Sequence, residues 1–276
     1  MDAFIALQQV LPRHALTRFV GLLAASEQPW IAGPFKRIFS RAYDISLAEA
    51  EQESLAAYPS FNAFFTRALK SDARPLPPAG DAPLFVSPAD GAISQVGTIR
   101  SGELLQAKGR SYSLAELMGA ETTPALAEPY EGGRFATIYL APNDYHRVHA
   151  PLAGTLRETR AIPGTLFSVN GRTEAGIPRL FCRNERLTLT FDTAAGPLLM
   201  VLVGALIVGR IDSVFGTMRS PYHRLDIQTH TDPVAWGGEV GRFLLGSTVI
   251  ICTTAAAPAW GDGLETGQRV RVREPL

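Results

Sequence analysis

The sequence predicts an α+β fold, with a helical N-terminal region packed on a β-rich, mostly antiparallel body. Apolar residues recur at helical spacing up to about residue 70, and from about residue 83 they alternate with polar residues, as in 187–192. A proline-rich stretch, 74–78, lies between the two patterns and ends helical structure. We therefore expect a helical region over 1–75 and a β-rich domain over 76–276.

Helical spacing is clearest in three N-terminal segments, 4–11, 16–23 and 35–43, the first two separated by Pro12. In the third, Phe35, Ile38 and Phe39 share one face of the helix. The other face carries cations, which are Lys36, Arg37 and Arg41. A helix of this kind either lies in a membrane interface or packs on the protein's own core, and the sequence leaves both open.

Capping signals predict further short helices. Ser46 and Glu49 have the spacing of a capping box, which predicts a helix after Ser46. Ser60 predicts another helix over 61–70, and a short one is expected around 114–118. The many Gly and Pro residues between the remaining apolar runs indicate short strands.

Composition excludes some classes of function. The 26 basic and 26 acidic residues cancel, so there is no basic field to attract nucleic acid. The two cysteines lie in apolar stretches, which favours a reducing compartment. The first 25 residues lack the features of a secretory signal, and the longest apolar run, 198–208, is too short to span a membrane. We expect a protein of the cytoplasm without a transmembrane segment.

Three residues supply the parts of a nucleophilic serine system: Asp90, His149 and Ser247. A serine hydroxyl becomes a good nucleophile when a histidine accepts its proton and a carboxylate fixes the histidine's tautomer. Each residue also has a structural interpretation, as a turn residue or as a polar residue at a strand end. A zinc site at His146 and His149 is less favoured, because positions i and i+3 of a strand face opposite ways.

Gly246 suggests what Ser247 attacks. Glycine leaves its carbonyl accessible and tolerates a strained backbone, so the hydroxyl can reach the carbonyl of the preceding residue. An N-to-O acyl shift followed by β-elimination would leave dehydroalanine, and its hydrolysis would release ammonia and give an N-terminal pyruvoyl group. The products would be the fragments 1–246 and 247–276.

Eight segments between about residue 43 and residue 253 resemble the bacterial phosphatidylserine decarboxylases, in order and in spacing. The segments are Phe64-Phe65-Thr66-Arg67, Ala73-Arg74-Pro75, Pro88-Ala89-Asp90-Gly91, Tyr145-His146-Arg147-Val148-His149, Pro163-Gly164-Thr165-Leu166-Phe167-Ser168-Val169-Asn170, Asn184-Glu185-Arg186, Val203-Gly204-Ala205, and Gly241-Arg242-Phe243 through Leu245-Gly246-Ser247-Thr248-Val249-Ile250. The chain thus resembles a self-cleaving, pyruvoyl-dependent proenzyme.

The resemblance implies that Asp90, His149 and Ser247 carry out self-cleavage, and that residue 247 then serves as the covalent pyruvoyl cofactor. The pyruvoyl group would form a Schiff base with the amine of phosphatidylserine and accept electrons as CO2 leaves, the work of pyridoxal phosphate in other enzymes. No metal and no pyridoxal phosphate is implied. His146 is the candidate proton donor to the resulting carbanion, with substrate orientation as the alternative.

A lipid substrate also favours the membrane interpretation of the third helix. Phe35, Ile38 and Phe39 would insert, while the neighbouring cations meet lipid phosphates. Ser168 and Asn170 are candidates for the headgroup pocket. We expect a peripheral enzyme on the cytoplasmic face of the cell membrane, whose partners are lipid, its own two fragments and a further copy of itself.

Two other functions remain open. A serine hydrolase would use the same three residues on an external ester, although the sequence around Ser247 is not the Gly-x-Ser-x-Gly nucleophile elbow. A non-catalytic protein would bind lipid through its helices and carry an inert β-rich body. The hydrolase would remain one chain, and the lipid-binding protein would tolerate Ser247→Ala.

Overall fold

The computed structural model describes residues 3–80, 83–206, 210–216, 221–244 and 248–276. The helices are α1 (Ala3–Val10), α2 (Arg13–Ala25), α3 (Pro29–Ala42), α4 (Phe61–Phe65), α5 (Leu114–Leu117), α6 (Gly171–Gly176) and α7 (Leu180–Arg183). The strands are β1 (Gly91–Thr98), β2 (Glu103–Gln106), β3 (Arg110–Ser113), β4 (Arg134–Tyr139), β5 (Arg147–His149), β6 (Gly154–Ile162), β7 (Arg186–Thr193), β8 (Gly196–Val203), β9 (Ile211–Ser213), β10 (Asp226–Thr229), β11 (Pro233–Val234), β12 (Glu239–Phe243), β13 (Thr248–Thr253) and β14 (Arg269–Val270). The α+β prediction is confirmed.

The strands form one large sheet and two small ones. The large sheet has the order β10-β6-β7-β8-β13-β4-β1-β14, with β11 also paired to β6. A three-stranded sheet has the order β5-β12-β9, and β2 pairs with β3. All pairs of these strands are antiparallel, as the alternating sequence pattern predicts.

Both faces of the large sheet are covered. Leu202 of β8 and Val249 of β13 face a core shared with Val148 and Phe243 of the three-stranded sheet. Alternate residues of the same two strands face a second core, which contains residues of α5, α7 and α1. A strand buried on both faces is apolar throughout, which explains the part of the long apolar run that lies in β8, residues 198–203. Within the described residues, no helix is both long enough and apolar enough to cross a bilayer.

The three N-terminal helices lie where helical spacing predicts them, but they do not all pack together. Ile5 of α1 belongs to the second core of the β-rich body. α2, α3 and α4 instead contact one another around an aromatic cluster, in which the rings of Phe35 and Phe61 stack at 4.1 Å. The first helix is therefore part of the body's core.

The capping signals were correct at Ser60 and wrong at Ser46. Ser60 Oγ accepts a hydrogen bond from the amide of Ala63, although α4 ends at Phe65 and not near residue 70. No helix follows Ser46, whose hydroxyl accepts only from the amide of Ala48 in a turn. The carboxylate of Glu49 instead forms ion pairs with two arginines distant in sequence, so it does not close a capping box.

Candidate functional site

His149 is buried at the end of β5, and both nitrogens of its ring have hydrogen-bond partners. Nδ1 lies 2.8 Å from the carbonyl oxygen of Gly237, so it carries the proton and donates it. Nε2 therefore has the free lone pair, and it accepts from the hydroxyl of Tyr145 at 3.1 Å. Burial is the largest influence on the pKa of His149 and lowers it. The ring is thus neutral, with its basic nitrogen facing Tyr145.

The carboxylate of Asp90 makes different contacts from those that a Ser-His-Asp triad predicts. Its oxygens accept from Nε and Nη2 of Arg74, at 3.2 and 2.6 Å, and from the backbone amide of Val272 at 2.7 Å. No hydrogen bond joins Asp90 to His149; the backbone amide of His149 instead donates to the carbonyl of Pro88 at 2.8 Å. The role of Asp90 in a triad stays a prediction.

Arg273 connects the two residues indirectly. Its Nε and Nη2 donate to the carbonyl oxygen of Gly237, at 3.2 and 3.0 Å, and this oxygen also accepts from His149. Its Nη1 donates to the carbonyl of Arg74 at 3.0 Å, and Arg74 holds Asp90. Asp90 and His149 therefore belong to one continuous hydrogen-bond network.

Position 237 requires glycine, which has no Cβ. Its φ of +66° lies in the left-handed region, and a Cβ there would stand 2.8 Å from Leu76 and 3.0 Å from Nε of Arg273. Sequence reasoning missed Gly237, Arg273 and Tyr145 as parts of the site. The Gly-Gly pair at 237–238 marked a turn, but nothing in the sequence indicated that its carbonyl would orient His149.

His146 is fully buried and lies between two parts of the fold. Its ring stacks on that of Phe65 in α4, with centroids 3.9 Å apart, and its backbone carbonyl accepts from the amide of Phe243 in β12. Neither ring nitrogen has a hydrogen-bond partner of good geometry in the described chain. Burial, and secondarily the charge of Arg67, lower the pKa of His146 to about 3, against the opposing effect of the nearby carbonyls of Pro142 and Ala141. The ring is therefore neutral near pH 7.

Gly246 and Ser247 lie outside the described residues, but both flanks of the predicted cleavage site are defined. On one side, the amide of Leu244 donates to the carbonyl of Arg210 at the end of β12. On the other side, Thr248 begins β13, where it pairs with Val203 and Tyr139. The side chain of Thr248 is fully buried, and its hydroxyl has no hydrogen-bond partner in the part of the chain that is described.

Ser168 and Asn170 have structural partners. The amide and hydroxyl of Ser168 make two hydrogen bonds with the side chain of Gln8, at 2.8 and 2.9 Å, which fasten α1 to the body. The side chain of Asn170 caps the N-terminus of α6 by accepting from the amides of Arg172 and Thr173. A headgroup would have to share or displace these contacts, and the predicted binding role stays a prediction.

The third helix has its aromatic residues facing inward. Phe35 and Phe39 pack on the aromatic cluster, and Lys36 is buried with Nζ donating to the carbonyls of Leu55 and Tyr58. Only Arg37, Ile38 and Arg41 of the six predicted membrane contacts are exposed. For Phe35, Lys36 and Phe39, the placement favours packing on the protein's own core.

The N-terminal helices nevertheless present other apolar side chains to solvent. These exposed residues are Leu7, Val10, Phe19, Leu22, Trp30 and Ile38, between 54% and 79% exposed.

Among the described residues, no three His, Cys, Asp or Glu side chains gather in a group that could hold a metal ion.

Comparison with known proteins identifies the class to which the fold and site belong. The family model described as phosphatidylserine decarboxylase matches residues 61–276, and a model described as PSD matches residues 3–44. The chain therefore belongs to the phosphatidylserine decarboxylase family, a family of enzymes that have a self-processing proenzyme form.

Individual relatives match nearly the whole chain. The phosphatidylserine decarboxylase proenzyme of Alcanivorax borkumensis is 50% identical over 278 residues, covering 99% of this chain and 94% of the relative. The proenzymes of Pseudomonas fluorescens and Azotobacter vinelandii are 48% and 49% identical, each covering 99% of this chain and 96% of the relative.

Proposed function

We propose that this chain is a proenzyme that cleaves itself between Gly246 and Ser247, and that the product converts phosphatidylserine to phosphatidylethanolamine and CO2 at a membrane surface. Membership of the family supports the decarboxylation. The observation that carries the proposal is His149, a buried neutral imidazole whose Nδ1 proton is fixed on the Gly237 carbonyl and whose Nε2 is basic. Such a ring is ready to accept a proton from a serine hydroxyl.

Asp90 supports His149 through the network in this proposal. Asp90 forms an ion pair with Arg74, and the backbone carbonyl of Arg74 accepts a hydrogen bond from Arg273. Arg273 and His149 both donate to the carbonyl of Gly237. The hydrogen bond to the Gly237 carbonyl raises the pKa of His149, and the positive charge of Arg273 lowers it. The charge of Glu239 acts in the opposite direction and raises the pKa of His149, while Asp90 contributes by keeping Arg74, and through it Arg273, in place.

Two buried side chains near the described flanks of position 247 have polar atoms without hydrogen-bond partners among the described residues. Thr248, the next residue, has a buried hydroxyl without a partner, and His146 has two buried ring nitrogens without partners in the described chain. A pyruvoyl group derived from Ser247 would supply a keto carbon for the substrate amine and an electron sink for decarboxylation. The neighbouring buried side chains would exclude water and orient the substrate.

His146 is proposed as the proton donor at the substrate's Cα, with substrate orientation as the alternative role. In the unprocessed chain the ring is neutral, so donation needs a prior proton uptake by its unprotonated nitrogen. An anion placed between His146 and Arg67 would favour that uptake, because it would offset the cation that lowers the pKa of His146.

The membrane contact is proposed for the exposed apolar side chains of α1–α3, which are those of Leu7, Val10, Phe19, Leu22, Trp30 and Ile38. Arg37 and Arg41 are exposed on the same helix as Ile38 and Trp30, where they would meet anionic headgroups. Binding to vesicles that contain anionic lipid tests this surface. Trp30→Ser with Ile38→Ser should weaken binding, whereas Leu105→Ser, an exposed residue of the body, should not.

Denaturing electrophoresis with intact mass measurement tests self-cleavage. The wild-type chain should give the fragments 1–246 and 247–276, the second with a blocked N-terminus, and His149→Gln should remain whole. A full-length chain that hydrolyses esters would favour the serine hydrolase, and a full-length chain that binds vesicles unchanged by Ser247→Ala would favour the lipid-binding protein. Vesicles of phosphatidylserine then test for release of CO2.

A further inference from the structure

Arg67 is a buried cation that forms no ion pair with the residues that the structure describes. Only 5% of the residue is exposed, and its Nη2 donates weakly to the backbone carbonyls of Asn143 and Asp144, at 3.3 and 3.4 Å. Its Nη1 is buried without a hydrogen-bond partner in the described part of the chain. An arginine remains charged in proteins, so a buried guanidinium with a free N–H group carries a large desolvation cost.

The carboxylates that lie nearest are already occupied. Asp90 accepts from Arg74 and from the amide of Val272. The side chain of Asp144 accepts from Arg269 and from the amide of Ala141. Both carboxylates act on the pKa of Arg67 through their charge, but neither forms an ion pair with it. The arrangement leaves Arg67 with attraction for an additional anion.

Arg67 also lies beside the candidate site. It is two residues from Phe65, whose ring covers His146, and its charge lowers the pKa of His146. The carbonyls that it holds belong to the two residues just before Tyr145, the partner of His149. An anion bound to Nη1 would therefore be held close to His146, beside the segment that carries Tyr145.

We propose that Nη1 of Arg67 binds the phosphodiester of the lipid headgroup and so positions the substrate at His146. This rests on the proposed function, because it takes phosphatidylserine as the substrate. The phosphodiester is a better ligand than the carboxylate for a physical reason. A cation on the carboxylate would stabilise a charge that is lost as CO2 leaves, and would raise the barrier, whereas the phosphate charge persists throughout the reaction.

Binding requires that the contact between α4 and the segment 141–146 opens, since Nη1 is buried in the unliganded chain. α4 packs on α2 and α3, which carry exposed Phe19, Trp30 and Ile38. Arg67 lies just after the end of α4 and contacts Asn143 and Asp144 of the body, and the helices that pack on α4 carry the proposed lipid contact. A lipid in contact with α2 and α3 would thus lie against the helices that pack on α4.

The test uses the full-length chain with Ser247→Ala, which cannot form the cofactor, and calorimetric titration with glycerophosphoserine and with glycerophosphoethanolamine, two soluble phosphodiesters. Arg67→Gln should weaken the binding of both ligands about tenfold or more, which is the effect of losing one hydrogen bond from a charged group. Arg67→Lys keeps the charge, and its affinity for both ligands should lie between those of the Arg67→Gln chain and the chain that keeps Arg67. Arg157→Gln, which removes an exposed ion pair with Asp192, is the matched control and should leave the affinity for both ligands unchanged.

Each outcome is decisive. Equal binding by the Ser247→Ala chains with and without Arg67→Gln, or no binding to the chain that keeps Arg67, overturns the proposal. A loss confined to glycerophosphoserine overturns it too and assigns Arg67 to the carboxylate instead. If the Arg67→Gln chain does not fold, the Arg67→Lys chain replaces it in the test. Binding by Arg67→Lys that is as tight as binding by the chain with Arg67 would then overturn the proposal. In the cleavable chain, Arg67→Gln should self-cleave and show a raised KM for phosphatidylserine with a smaller change in kcat. Failure of wild-type cleavage or CO2 release would instead refute the proposed function.

Discussion

Asp90→Asn distinguishes a direct Asp-His contact from the indirect network. In a direct triad the carboxylate fixes the tautomer of the histidine, and its replacement by Asn lowers the rate about ten-thousand-fold. Here the carbonyl of Gly237 fixes the tautomer of His149, and it is unaffected by the substitution. We therefore expect self-cleavage to slow by no more than about tenfold, equivalent to about 1.4 kcal/mol.

The same substitution should have a larger effect on stability. Asp90 and Arg74 are about one-tenth exposed, and breaking a buried ion pair costs about 3–5 kcal/mol. Arg74 keeps a second ion pair with Glu49 at 3.0 Å, so we expect the lower end of this range. At about 2–4 °C per kcal/mol, Tm should fall by roughly 6–12 °C.

Two measurements on purified protein test this reasoning. Cleavage is followed over time by denaturing electrophoresis, and Tm is measured in the Ser247→Ala background so that every sample is unprocessed. Asp262→Asn, in an exposed pair with Arg134, should leave both quantities unchanged. A ten-thousand-fold loss of cleavage without a fall in Tm would refute the indirect network and restore the direct triad.

Three further substitutions test the burial of individual side chains. With His146 present, stability should fall as pH falls from 6.5 to about 3, because the folded ring stays neutral over this range while the unfolded chain takes up a proton. His146→Phe should remove this part of the pH dependence. Denaturant titrations at several pH values measure the free energy of unfolding, and an unchanged dependence on pH would contradict the prediction. Lys36→Met should lower stability by about 2 kcal/mol by removing the donor to the Leu55 and Tyr58 carbonyls, whereas exposed Arg37→Met should have little effect on Tm. Gln8→Leu should release α1, so that hydrogen exchange at the Ser168 amide becomes faster; unchanged protection would show that Gln8 does not hold it.

Local periodicity located the elements well but could not decide their neighbours. The apolar spacing of α3 was correct, and yet the face with Phe35 and Phe39 packs on Phe61, and Lys36 is buried by reaching two backbone carbonyls. Glu49 had the spacing of a capping residue, but two arginines distant in sequence bind its carboxylate. A local sequence pattern cannot predict ion pairs between residues that are distant in the sequence.

The candidate site shows the same limit. Its histidines could be named from the sequence because short motifs carry them. The group that orients His149 could not, because a backbone carbonyl has no signature in the sequence, and Gly237 is 88 residues away. Arg74 was within a recognised motif, but its pairing with Asp90 depends on the fold.

The position of the predicted cleavage site explains how the chain could be cut without losing the site. β13 begins one residue after Ser247 and lies between β8 and β4, with all six of its residues buried. The same 247–276 segment supplies the Val272 amide to Asp90 and the Arg273 guanidinium to the Gly237 carbonyl. Cleavage before residue 247 breaks one peptide bond but none of these contacts. The ladder hydrogen bonds on both sides of β13 would therefore keep the smaller fragment in the sheet, with the new N-terminus beside buried Thr248.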